Sequence, residues 1–232
     1  MSAPAPEAAP QAHGGDSLAM MRTLIVVSGV AGLLIVLVFQ WTLPIIKANH
    51  ARALREAVFQ VIPDTSRVET FRLQDDGTLV RLQGENERAL KVYAGYSDAG
   101  RLTGVAIPAQ GQGYQDVIKV IYGYAPHKQK IVGMKVLESK ETPGLGDKIG
   151  KDPDFLANFN ALDVQLGDDG KTLRNAVEVV KHGNKQQPWQ IDAITGATIS
   201  SKAMGRLLGE SVKAWLPIVQ HNLPLLEAQE AR

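Results

Sequence analysis

The chain has 232 residues, 44% of them apolar, and its 25 Lys and Arg against 24 Asp and Glu leave a formal net charge of +1. That balance, with no local basic cluster, excludes the electrostatic footprint of a nucleic-acid-binding protein, so nucleic acid is not expected as a partner. The absence of cysteine excludes a disulfide framework, thiol nucleophiles and cysteine-ligated clusters, so any redox chemistry must come from a bound cofactor.

Residues 1–21 open with a stretch rich in Ala, Pro, Gly and Gln, which cannot offset the entropy of ordering and predicts a flexible tail. From Leu24 to Leu43 there is no charged residue, and Arg22 and Lys47 flank the run. Its length matches the roughly 20 residues that cross a bilayer core. A segment apolar on every face, with Trp41 at one end, suits lipid better than a protein core. It predicts a transmembrane helix over 22–43 with the lipid bilayer as partner. A cleaved signal peptide would have a shorter apolar region, so the segment is expected to stay as an anchor. Leu54, Ala57, Val58 and Val61 then recur at helical spacing up to Pro63, predicting a juxtamembrane helix over 44–62.

One soluble domain over 63–225 and a short tail over 226–232 account for the rest. Apolar runs around Leu90 to Tyr93, Gly104 to Ile107, Val117 to Tyr124 and Ile131 to Leu137 are separated by Asp98-Ala99-Gly100, Gln110 to Gly113 and Ala125-Pro126. They predict a mainly antiparallel meander. Val177 to Val180 and Trp189 to Ile191 add later strands. Short helices are expected near Asp154 to Phe159, and a long one after Thr198. The fold class is therefore α+β, one N-terminal transmembrane helix followed by a single domain with a mainly antiparallel sheet and flanking helices.

Asp192-Ala193-Ile194-Thr195-Gly196-Ala197-Thr198-Ile199-Ser200-Ser201 carries four hydroxyls in ten residues. They crowd the start of a helix whose apolar face is Ala203, Leu207, Leu208, Val212 and Trp215. A helix start leaves N–H groups unpaired at the positive end of the macrodipole, which suits a phosphate. From the residues alone an ordinary N-cap at Thr198 or Ser200 is the commoner reading, since caps greatly outnumber phosphate sites. The second informative stretch is Ser139-Lys140-Glu141-Thr142-Pro143-Gly144-Leu145-Gly146-Asp147, whose two close glycines permit a bend presenting N–H groups to a ligand, or an ordinary turn.

Asp192 to Thr198 resembles the flavinylation motif of the FMN-binding domain family, D-x-x-[ST]-G-A-T-x-[ST], and Glu141 to Gly146 matches that family's E-T-P-G-L-G loop. The resemblance implies covalent FMN on Thr198 through a phosphoester, with Asp192, Thr195, Gly196 and Ala197 around the attachment point. It places Glu141, Thr142, Gly144, Leu145 and Gly146 beside the flavin, and it implies a separate flavin transferase for maturation. With the N-terminal helix, the two motifs resemble the G-subunit family of Rnf electron-transport complexes over roughly Arg22 to Leu216. Thr195 in place of Ser, and the modest length, favour this over the C subunits of sodium-pumping NADH:quinone oxidoreductases.

What the resemblance implies is an electron-relay subunit of a ferredoxin:NAD oxidoreductase ion pump, working with other membrane subunits and not as a stand-alone enzyme. Two alternatives remain: a membrane-anchored flavin-binding or sensory module without redox turnover, and a free-standing flavin reductase, against which stands the lack of a dinucleotide-binding G-x-G-x-x-G after a strand. No catalytic residue is expected. His127, His182 and His221 lack metal-ligand spacing, so no metal site is expected either. Asp168-Asp169-Gly170 reads as a turn. The resemblance implies an inner-membrane protein with its domain on the periplasmic side. A count of Lys47, Arg52 and Arg55 against Arg22 gives the opposite orientation, but long domains translocate regardless of flanking charge, and the family reading is followed.

Overall fold

The computed structural model describes residues 16–82 and 90–228; the expectations for residues 1–15 and 229–232 lie outside that range. Asp16–Val61 forms one helix, α1, of 46 residues, and it is long and apolar enough to cross a membrane. It begins inside the stretch read as a tail and continues through Pro44, where two helices were expected to meet. Proline removes one backbone donor and crowds the preceding turn, yet the helix is unbroken there. The Thr23 hydroxyl donates back to Ala19 O at 2.9 Å and the Thr42 hydroxyl to Val38 O at 2.9 Å, so neither polar group is left bare among apolar neighbours.

The chain divides between Ala51 and Arg52 into two compact units. In the second, seven strands form one sheet: β1 (Arg67–Leu73), β2 (Leu79–Arg81), β3 (Lys91–Tyr96), β4 (Leu102–Gln112), β5 (Val117–Ala125), β6 (Lys130–Glu138) and β7 (Leu162–Asp163). Their order is β2-β1-β3-β4-β5-β6-β7 and every pairing is antiparallel. Two further strands, β8 (Glu178–Val180) and β9 (Gln190–Asp192), pair in parallel as a separate ribbon. Helix α2 (Pro153–Ala157) starts with Asp152 accepting from Phe155 N at 2.9 Å and Pro153 at its first position, a favoured helix opening. Helix α3 (Thr198–His221) is the long helix expected after Thr198, and α4 (Leu223–Glu227) follows it.

Alternation along the strands gives the sheet two apolar faces. Val92, Ala94, Val105, Ile107, Val120 and Tyr122 join Leu208, Val212 and Leu216 of α3 in the main core. Ala106 and Ile121 point the other way, onto Ala57, Val58, Val61 and Ile62 at the end of α1. That end is thus part of the domain and not only a lead-in. It lies in a trench of glycines crossing the sheet: a Cβ on Gly133 would come within 2.7 Å of Val61 O, and one on Gly104 within 2.9 Å of Ile62 Cγ2. Gly123, paired directly with Gly133, leaves the same space for the Val61 carbonyl.

Candidate functional site

Between Asp192 and α3 the chain makes a tight turn, with Ala197 N donating to Ile194 O at 3.0 Å. Gly196 occupies its third position with φ +82°, a conformation that favours glycine because it lacks a Cβ. Ser201 locks the turn from inside the helix: its buried hydroxyl donates to Ala197 O at 3.0 Å and accepts from Ile194 N at 3.1 Å. Thr195, Gly196 and Thr198 are exposed, whereas Ala197, Ser200 and Ser201 are buried. Thr198 is the first residue of α3, and Ala197 at the cap position supplies no side-chain acceptor. The opening N–H groups of a 24-residue helix are therefore not capped by a side chain of the residue before it, beside an exposed hydroxyl. That arrangement can hold an anion attached to Thr198.

The Glu141 to Gly146 loop reaches the same helix start through a buried carboxylate. Glu141 is 5% exposed. Its Oε1 accepts from Tyr114 N at 2.7 Å and Gln115 N at 3.1 Å, and its Oε2 accepts from the Ser200 hydroxyl at 2.5 Å. Two more contacts tie the loop to the Gly113–Asp116 turn between β4 and β5, from Gln115 Nε2 to Thr142 Oγ1 at 2.9 Å and from Lys140 Nζ to Asp116 Oδ2 at 2.6 Å. The Lys140 hydrogen bond, helped by Val117 N, holds the Asp116 carboxyl below the usual carboxylate range.

The two glycines of the loop do different work. Gly144 has φ +77° and open space around it, so it makes the bend. Gly146 makes room: a Cβ there would come within 2.6 Å of Glu141 Oε2 and 2.7 Å of Ser200 Oγ. The N–H groups of Leu145 and Asp147 both turn inward to Thr142 O, so the bend presents fewer free donors than the sequence suggested. Leu145 itself is exposed, as are Tyr114 and Ile199, at 51%, 62% and 59%. Each belongs to a segment that Glu141 ties together.

Asp192 faces elsewhere. Its carboxylate accepts from Gly183 N at 2.8 Å and meets His182 Nδ1 at 3.4 Å, bracing the loop between β8 and β9. Its backbone is clamped by the Asn158 side chain, which accepts from Asp192 N at 3.0 Å and donates to Asp192 O at 3.3 Å. Lys185 also donates to Asn158 Oδ1 at 2.9 Å, and burial lowers its pKa against the pull of Asp192. A cleft of about 240 Å³ opens here beside Thr195, lined by Lys148, Asp152, Asp154 and His182.

Tyr114, Gln115, Asn158, Ile199 and Ser200 were not among the expected site residues. Ser200 occupies the final [ST] of the motif, and Tyr114 follows the Gln110 to Gly113 separator, which turns out to be the end of β4 and the start of the hairpin turn. Asp169 does build a turn, accepting from Lys171 N and Thr172 N at 2.9 Å each, which helps hold its carboxyl down at about 2. Among the described residues no group of three or more His, Asp or Glu side chains could hold a metal ion.

The FMN-binding domain family matches residues 113–213, a span running from the Gly113 turn into α3. The G subunit of the ion-translocating oxidoreductase complex of Methanosarcina acetivorans is 30% identical over 193 residues, covering 82% of this chain and 89% of the relative. Its counterpart in Cereibacter sphaeroides is 33% identical over 178 residues, covering 75% and 73%. The G subunit of the Na(+)-translocating ferredoxin:NAD(+) oxidoreductase complex of Acetobacterium woodii is 28% identical, covering 83% and 88%. The crystal structure of Shewanella oneidensis NqrC has the same fold, with a TM-score of 0.52 at 22% identity over 71% of this chain and 85% of that one. With 30% identity spread over most of both sequences, this chain belongs to the family of G subunits of ion-translocating oxidoreductase complexes.

Proposed function

We propose that this chain is a membrane-anchored electron-transfer subunit that carries FMN on Thr198 by a phosphoester bond and relays electrons within an ion-translocating ferredoxin:NAD oxidoreductase. The observation that carries the reading is the exposed Thr198 hydroxyl at the start of α3, ahead of which no side chain caps the helix. An isoalloxazine supplies one- and two-electron transfer when bound, and the protein supplies placement, hydrogen bonds and charge. Gly196 sets the turn that delivers Thr198, Ser201 fixes that turn, and the helix dipole favours the negative charge of a phosphodiester. Tyr114, Leu145 and Ile199 give the ring an apolar surface. Asp192 and Asn158 act behind the turn, holding its incoming strand.

A tether has a physical rationale. A noncovalent ligand is held only in proportion to its free concentration over its dissociation constant, and free flavin is scarce outside the cytoplasm. The bond is installed by a separate flavin transferase, α1 stays in the inner membrane, and the domain lies on the periplasmic side beside other membrane subunits of the complex. The relay reading leaves no role for a nucleophile or a general acid in this chain.

The test is the Thr198→Ala variant coexpressed with a flavin transferase. Thr198 follows the cap position and makes no cap bond, and alanine is a good helix former, so the variant folds, and its band on a denaturing gel is not fluorescent while the wild-type band is. A Thr198→Ala band that still fluoresces would overturn the assignment.

A further inference from the structure

We infer that Glu141 is not a flavin ligand but a buried, uncompensated negative charge that joins the three walls of the flavin site and holds the flavin's reduction potential down. The inference rests on the proposed attachment at Thr198. It starts from how the carboxylate is held. All three of its donors are neutral: two backbone N–H groups from the β4–β5 turn and the Ser200 hydroxyl from the first turn of α3. Among the described residues no cation pairs with it. Lys140, its neighbour in sequence, is turned away to Asp116 at 2.6 Å.

Two glycines exist where the carboxylate needs room. A Cβ on Gly146 would meet Glu141 Oε2 and Cβ, and one on Gly113 would meet Oε1. The backbone on both sides is thus shaped around this side chain, leaving it 5% exposed. Hydrogen bonds from neutral dipoles offset only part of a charge's field at a distance, and burial weakens the solvent screening that would otherwise hide the rest. Ser200, which touches the carboxylate, lies two residues beyond Thr198. A group attached to Thr198 gains negative charge as it accepts electrons, and a fixed negative charge nearby opposes that gain.

Glu141→Gln separates charge from shape. The amide oxygen can keep the two backbone N–H bonds, and the amide nitrogen can donate to Ser200 Oγ once its hydroxyl rotates. The experiment is performed on the full-length protein in detergent, coexpressed with a flavin transferase. It measures covalent flavin per chain by denaturing-gel fluorescence and the flavin midpoint by spectroelectrochemical titration at pH 8. Glu141→Gln is expected to keep wild-type occupancy while its midpoint moves positive. Glu141→Leu, which cannot make any of the three bonds, is expected to lose occupancy. Ser200→Ala keeps the charge but removes one compensating donor, so its midpoint is expected to move negative. An occupied Glu141→Gln with the wild-type midpoint would overturn the inference. Should Glu141→Gln carry no flavin, Ser200→Ala decides by the sign of its shift, and an unmoved midpoint there overturns it equally. A wild-type chain without covalent flavin would instead remove the attachment reading beneath it.

Discussion

Gly144 and Gly146 stand two residues apart in one motif, yet they answer to different physics. Gly144 bends the chain at positive φ in open space, so Gly144→Ala incurs only a backbone cost of about 1–2 kcal/mol. Gly146 is not at positive φ, and its substitution drives a methyl into Glu141 and Ser200. Gly146→Ala should therefore disturb the carboxylate and its three hydrogen bonds, where Gly144→Ala should not. Urea unfolding gives the costs. Amide NMR of Tyr114 and Gln115 separates the two, with large shifts expected in Gly146→Ala and small ones in Gly144→Ala; equal shifts would contradict the distinction. The motif was legible in the sequence as a glycine bend. The packing role of Gly146 was not, because the groups it accommodates belong to one wall made of Glu141 and another made of Ser200, 59 residues apart.

Among the elements, apolar runs marked β3 to β6 correctly because their buried faces are uniformly apolar. They failed at β1, where Glu69 occupies an inward position at 6% exposure and pairs with Arg81 at 3.1 Å; a charge on the core face breaks the alternation a strand is recognised by. The glycine trench was also illegible, since Gly104, Gly123 and Gly133 look like breakers until α1 is seen to end among them. Gly123→Ala and Gly133→Ala should each destabilise the domain by about 1–3 kcal/mol, because the added methyl meets backbone that cannot step aside. Gly111→Ala, whose methyl would meet the Leu207 side chain at 3.0 Å, should cost less in the same urea titrations, and the reverse order would contradict the packing account. The turn–loop latch has its own signature. Because Lys140 lowers the Asp116 pKa, the latch contributes fully above the ordinary value of 3.8 and is lost as pH falls through the lowered one. In Lys140→Met the Asp116 carboxyl, followed by NMR, should titrate higher than in the wild type. An unchanged titration would mean that the ion pair is not formed in solution.

For the whole molecule, the sequence was informative where a single element carries a signal: an uncharged apolar helix, a strand-rich middle, a hydroxyl-rich helix start. It was uninformative where three segments meet, and there the site is built. The relay reading predicts that the purified flavinylated protein accepts electrons from an artificial donor but does not turn over NADH alone; robust NADH oxidation would make it a reductase. The proposed topology predicts that protease added to intact spheroplasts cuts the domain, and protection of the domain while a periplasmic control is digested would reverse it. The central claim, that Thr198 carries the flavin, meets its most direct test in peptide mass spectrometry of wild-type protein made with a flavin transferase. The fragment spanning Gln190 to Lys202 should carry an FMN adduct, with fragmentation placing it on Thr198; a fluorescent preparation in which Thr198 is unmodified, or in which the adduct lies on Thr195, would contradict the account.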